Sequence, residues 1–76
     1  MEFPQFRRYK NQRSYFEIRS NEHFIEYKVE GKKLAKYEIH AKILPERNLI
    51  QDMLYQAEPY WENIDRETLE SFLDSY

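Results

Sequence analysis

Seventy-six residues suffice for one small domain spanning 1–76, and 12 Lys and Arg against 14 Asp and Glu leave a net charge of −2. The absence of Cys excludes disulfides, thiolate metal sites and Cys nucleophiles. No apolar run approaches the ~20 residues of a membrane span, and Met1-Glu2-Phe3-Pro4-Gln5 lacks the basic-then-apolar order of a signal peptide, so the expectation is a cytoplasmic protein without membrane contact.

A domain of ~60 residues buries only about 60% of its unfolded surface. Five Phe, seven Tyr and one Trp are the means by which so short a chain assembles a core, since each aromatic can bury ~150–250 Å². Charge is unevenly spread. Residues 1–44 carry 10 basic and 6 acidic side chains, and residues 45–76 carry 2 and 8. Two halves of opposite sign packing together are the simpler reading of this split, with a basic binding surface as the other.

Phe3 to Lys10 is a candidate edge strand or ordered arm, because Pro4 and the Arg7-Arg8 pair suit neither a central strand nor a core. Asn11-Gln12, Ser20-Asn21-Glu22 and Glu30-Gly31-Lys32-Lys33 are turn candidates. They separate three strands, Arg13–Arg19, Phe24–Glu30 and Leu34–Ile43, rich in aromatic and β-branched residues with period-2 alternation. Gly31, the only glycine, marks the turn that demands positive φ. If the sheet has one apolar face, the strands register with Ile18 opposite Ile25 and Phe16 opposite Tyr27. Ile25 then lies opposite Ile39, Tyr27 opposite Tyr37, and His40 opposite Phe24.

After Pro45 the period changes. Ile50, Met53, Leu54 and Ala57 fall on one helical stripe, although alternation at Leu49, Gln51, Met53 and Tyr55 leaves a strand open over 46–57. Glu58-Pro59-Tyr60-Trp61 reads as a connector. A helix starts near residue 66, with Asp65 as N-cap, an Ile64–Leu69 staple, and Leu69, Phe72, Leu73 and Tyr76 as its buried stripe. The fold expected is α+β: a three- or four-stranded antiparallel meander with one or two helices packed on one face.

The single glycine excludes glycine-rich phosphate loops, and no Ser stands in an elbow-like context. Catalytic residues and cofactors are therefore not expected, nor is a small-molecule substrate. His23 and His40 approach each other at the sheet's end with Glu22 and Glu38 nearby. Structural zinc takes four ligands, so two solvated histidines and no metal are expected. Acidic residues at Asp65, Glu67 and Glu70 suit a helix start.

The most distinctive cluster is basic and aromatic: Arg7, Arg8, Lys10, Arg13, Tyr15 and Arg19, with Phe24 and Lys28 on an outer sheet face. Basic groups neutralise phosphates and aromatics stack on unpaired bases. Glu17, Glu26 and Glu38 run through the same region, and nucleic-acid modules have a strongly basic balance. Tyr60 and Trp61 are residue types favoured at interface hot spots. The leading expectation is a non-catalytic protein-interaction domain that self-associates, as a homodimer, through a sheet edge or an outer face. Single-stranded nucleic-acid contact through the N-terminal strands is the alternative.

Overall fold

The computed structural model describes residues 2–55 and 59–76. Five strands and two helices are formed among them: β1 (Gln5–Tyr9), β2 (Ser14–Ser20), β3 (His23–Glu30), β4 (Lys33–His40), α1 (Leu44–Tyr55), β5 (Trp61–Asn63) and α2 (Arg66–Asp74). The sheet is antiparallel with order β4-β3-β2-β1-β5. The α+β class and the meander are as expected, and the N-terminal segment is a paired strand. The short β5, in part of what reads as a connector, adds a fifth strand by pairing Tyr9 with Trp61 and Arg8 with Glu62.

Residues 46–55 are helical, within α1, and Ile50, Met53 and Leu54 form its buried stripe. Ala57, assigned to the same stripe, lies outside the described residues. Pro45 sits in the first turn, where its missing N–H costs nothing. Glu46 accepts from the Lys42 N–H at 3.2 Å. At α2 the Asp65 carboxylate accepts from the N–H and hydroxyl of Thr68 at 2.8 and 2.7 Å. Ile64 and Leu69 meet in one apolar cluster, as a staple requires. Tyr76 is exposed rather than part of the buried stripe.

The main correction concerns the faces. Both hairpins are offset by one residue from the expected register. Phe16 lies opposite Glu26, Ile18 opposite Phe24, Phe24 opposite Ile39 and Ile25 opposite Glu38. The first hairpin closes at Ser20–His23, as an Asn21-Glu22 turn predicts, and then shifts at a bulge at Arg19. In the second, Glu30–Lys33 closes a two-residue loop with Gly31 at φ 65°, the arrangement of a type II′ turn.

Consecutive side chains of a strand point to opposite faces, so the sheet carries two cores. On one face Phe16, Ile18 and Phe24 join Ile50, Met53 and Leu54 of α1, with Ala41 and Trp61. On the other Phe6, Tyr15, Ile25 and Tyr27 pack with Leu69 of α2. Helices cover both faces, not one.

Candidate functional site

Two features are left by this architecture: the open edge of the sheet at β4, and the residues at the β4 end nearest α1. β5 is only three residues long, whereas β4 has eight and, among the described residues, pairs on one side only. Because Glu30–Lys33 closes a two-residue hairpin, the odd-numbered residues of β4 bond their backbone to β3. The Ala41 N–H donating to the Glu22 carbonyl at 2.7 Å continues that alternation. The backbone groups of Leu34, Lys36, Glu38 and His40 therefore face outward. Their side chains share the α2 face of the sheet, where Leu34 packs on the core and Lys36, Glu38 and His40 are exposed. On the opposite face Tyr37 is exposed and donates to Glu30 at 2.8 Å.

The residues read as one basic-aromatic surface are dispersed. Arg7 is 5% exposed, and its guanidinium donates to the carbonyls of Met53 and Phe6 at 2.8 Å each. Burial pulls its pKa down, and among the described residues it pairs with no carboxylate. Arg8, on the other face, donates to the Tyr15 hydroxyl at 3.3 Å and to Glu62 at 2.7 Å. Those bonds hold its pKa above the ordinary arginine value. Tyr15 is buried and stacked on Phe72 with centroids 3.7 Å apart.

Phe24 is 1% exposed and belongs to the α1 core, so its assignment to an outer face is wrong. Trp61 is also core, stacked on Tyr9 at 5.6 Å, and its indole N–H is buried without a hydrogen-bond partner among the described residues. Arg19 is half exposed and bound to Glu17 at 2.6 Å, six residues along β2 from Arg13, or about 20 Å. Lys28 and Arg13 are exposed at the far end from Arg19. Lys10 and Tyr60 do come together, with Tyr9, Asn11 and Pro59, around a groove of about 320 Å³.

A second group gathers at the end of β3 and β4. His23 and His40 lie directly opposite each other. Since Phe24–Ile39 is a bonded pair, His23–His40 is a non-bonded one, the type whose side chains stand closest. Their rings stack at 4.3 Å with planes 9° apart. Glu38 precedes His40 by two residues, hence on the same face, and its carboxylate lies 2.8 Å from His23 Nε2. That bond holds the Glu38 pKa below the usual carboxylate value. One potential ligand atom from each of the three falls within 4.8 Å of the others.

The edge residues Lys36, Tyr37 and Glu38 were not among the sequence candidates. The available signal was composition: β4 has no adjacent pair of large apolar side chains such as Tyr15-Phe16 and Phe24-Ile25, which mark strands covered on both faces. No family model, curated protein or solved structure matches the chain significantly.

Proposed function

We propose that this chain is a non-catalytic interaction domain that self-associates by pairing β4 with β4 of a second copy. The observation that carries the reading is the eight-residue edge strand with outward backbone groups at 34, 36, 38 and 40. Such an edge is a template for strand addition.

A two-fold pair of identical strands must be antiparallel and self-complementary. Centring it on Lys36 would set two lysines against each other. Centring it on Tyr37 sets Lys36 of each copy against Glu38 of the other, twice, with Ala35 beside Ile39 on the opposite face. Opposite charges directly across a ladder contribute ~0.2–1 kcal/mol per pair, and like charges cost similar amounts. Lysine on an edge normally discourages pairing. Here it discourages the wrong registers while its partner lies two residues away.

Burial of Arg7, Tyr15 and Phe24 takes three side chains from the set that the nucleic-acid alternative would use, which favours the self-association reading. Sedimentation velocity over a concentration series tests the reading. The wild-type chain dimerises reversibly, Lys36→Glu or Glu38→Lys abolishes the dimer, and the double exchange Lys36→Glu/Glu38→Lys restores it. A wild-type monomer at all concentrations, or a dimer indifferent to both single changes, overturns it.

A further inference from the structure

We infer that His23, Glu38 and His40 form a binding site for a late first-row divalent cation, with zinc(II) the reference ion. This inference does not rest on self-association, but both would use Glu38.

The argument starts from the ladder. Two imidazoles on a non-bonded cross-strand pair are presented side by side from rigid backbone. A carboxylate two residues before one of them shares their face by the period of the strand. The three donors are therefore placed by sheet geometry and not by a loop. Two imidazoles and one carboxylate are the donor set that zinc accepts with its fourth position left to water. Imidazole selects zinc and copper over magnesium and calcium, which prefer oxygen.

The arrangement needs one adjustment. Zinc sits ~2.0–2.1 Å from each imidazole nitrogen, and two parallel rings cannot both aim in-plane at one ion. One ring must turn away from the stack. His40 is exposed, and its rotation gives up the stack on His23. His23 is more enclosed, with its side chain 20% exposed, and is already oriented by Glu38 at 2.8 Å. The ion enters from the solvent side and takes the place of the hydrogen bond between His23 Nε2 and Glu38.

The surroundings set the strength of the site. Arg19, held by Glu17, is a cation whose field reaches Glu38. It opposes a second positive charge. Open coordination and a half-exposed carboxylate make the site one of exchangeable metal rather than a folding requirement, unlike the closed four-ligand sites of zinc fingers.

The test is a titration of the full chain with zinc(II) alone near neutral pH, at concentrations where the protein is monomeric. Binding is read by calorimetry and by ¹H–¹⁵N spectra. One zinc per chain binds, and shifts centre on residues 22–24 and 38–41. Outer-shell partners of a metal already change its affinity ~10–100-fold, so loss of a ligand in His40→Ala or His23→Gln weakens binding by at least about tenfold. Magnesium(II) and calcium(II) leave the spectrum unchanged. Circular dichroism of the metal-free variants reports whether they keep the fold, which the exposed His40 makes secure. Absence of zinc binding by the wild type overturns the inference, as does a folded His40→Ala with wild-type affinity.

Discussion

Arg7 is a β1 residue that completes a helix. The last four carbonyls of any α-helix lack intrahelical donors, and α1 has no basic residue in its last turn. Arg7 reaches from the sheet and donates to the Met53 carbonyl at 2.8 Å, while a second nitrogen donates to the Phe6 carbonyl at 2.8 Å. Its charge also lies at the negative end of the helix dipole. Two effects compete when the guanidinium is removed. Relief from burying a charge favours the variant, since exchanging buried ions for apolar side chains is often neutral or better. Against it stand two lost charge-assisted bonds, one to the buried Met53 carbonyl and one to the Phe6 carbonyl, which keeps the Ile64 N–H at 3.3 Å. A hydrogen bond from a charged donor contributes about 1.5–3 kcal/mol, and an orphaned buried acceptor costs ~1–3 kcal/mol. Guanidinium is weakly hydrated, so its relief is the smaller quantity. Arg7→Met, which keeps the stem volume, should therefore destabilise by about 3 kcal/mol. For a domain of this size each kcal/mol moves Tm by ~4–8 °C, giving a fall of roughly 12–24 °C. Arg7→Lys keeps the charge and one bond and should fall about half as far. Thermal and urea unfolding followed by circular dichroism measure both, and amide exchange should speed up in the last turn of α1. A Tm of Arg7→Met equal to or above that of wild type would refute the reasoning.

Two further outcomes follow from local geometry. Gly31→Ala meets no steric obstacle but places a side chain at φ 65°, which costs about 1–2 kcal/mol and should lower Tm by ~4–16 °C, whereas Asn, which tolerates that region, should lose less. The bonds from Thr68 hold the Asp65 pKa below its ordinary value. A depressed folded-state pKa gives stability that is present above the unfolded value and lost as pH falls through the folded one. Urea midpoints followed downward in pH through the aspartate range should decline in wild type and change less over that interval in Asp65→Asn, which keeps a capping oxygen without the titration. Equal pH slopes would contradict the assigned role.

The local signals in this chain were readable, as were the α+β class and the meander, but the two-faced burial of the sheet was not. Asp65, Ile64 and Leu69 at α2, Pro45 at α1, and the turns at Asn21-Glu22 and Gly31 act as their chemistry predicts, whereas in the Asn11-Gln12 turn the positive φ, 63°, falls on Gln12 and not on the asparagine. These are properties of a few neighbouring residues. The misreading came from one assumption, that the sheet has a single apolar face. Under it a one-residue shift is forbidden. With a helix on each face it is required, and the adjacent pairs Tyr15-Phe16 and Phe24-Ile25 can all be buried. Apolar neighbours in sequence, rather than alternation, are the trace that two-sided burial leaves. β5 left almost no trace, since three residues held by Arg8, Tyr9 and Arg7 derive their strand character from the partner.

The candidate metal site depends on the same counting. Gly31 at positive φ fits the first central position of a two-residue turn, which makes Glu30 and Lys33 the closing pair. Each step away from the turn advances both strands by one residue, and seven steps bring His23 opposite His40. A three-residue loop at the same glycine would instead place His40 opposite Phe24 and turn the two imidazoles to opposite faces of the sheet. The juxtaposition is thus fixed by a backbone conformation at the far end of the hairpin. No inspection of His23, Glu38 and His40 alone could reveal it, because their spacing in sequence, 15 and 2 residues, is compatible with either register. The conformation of one glycine decides whether these three side chains stand apart or come together.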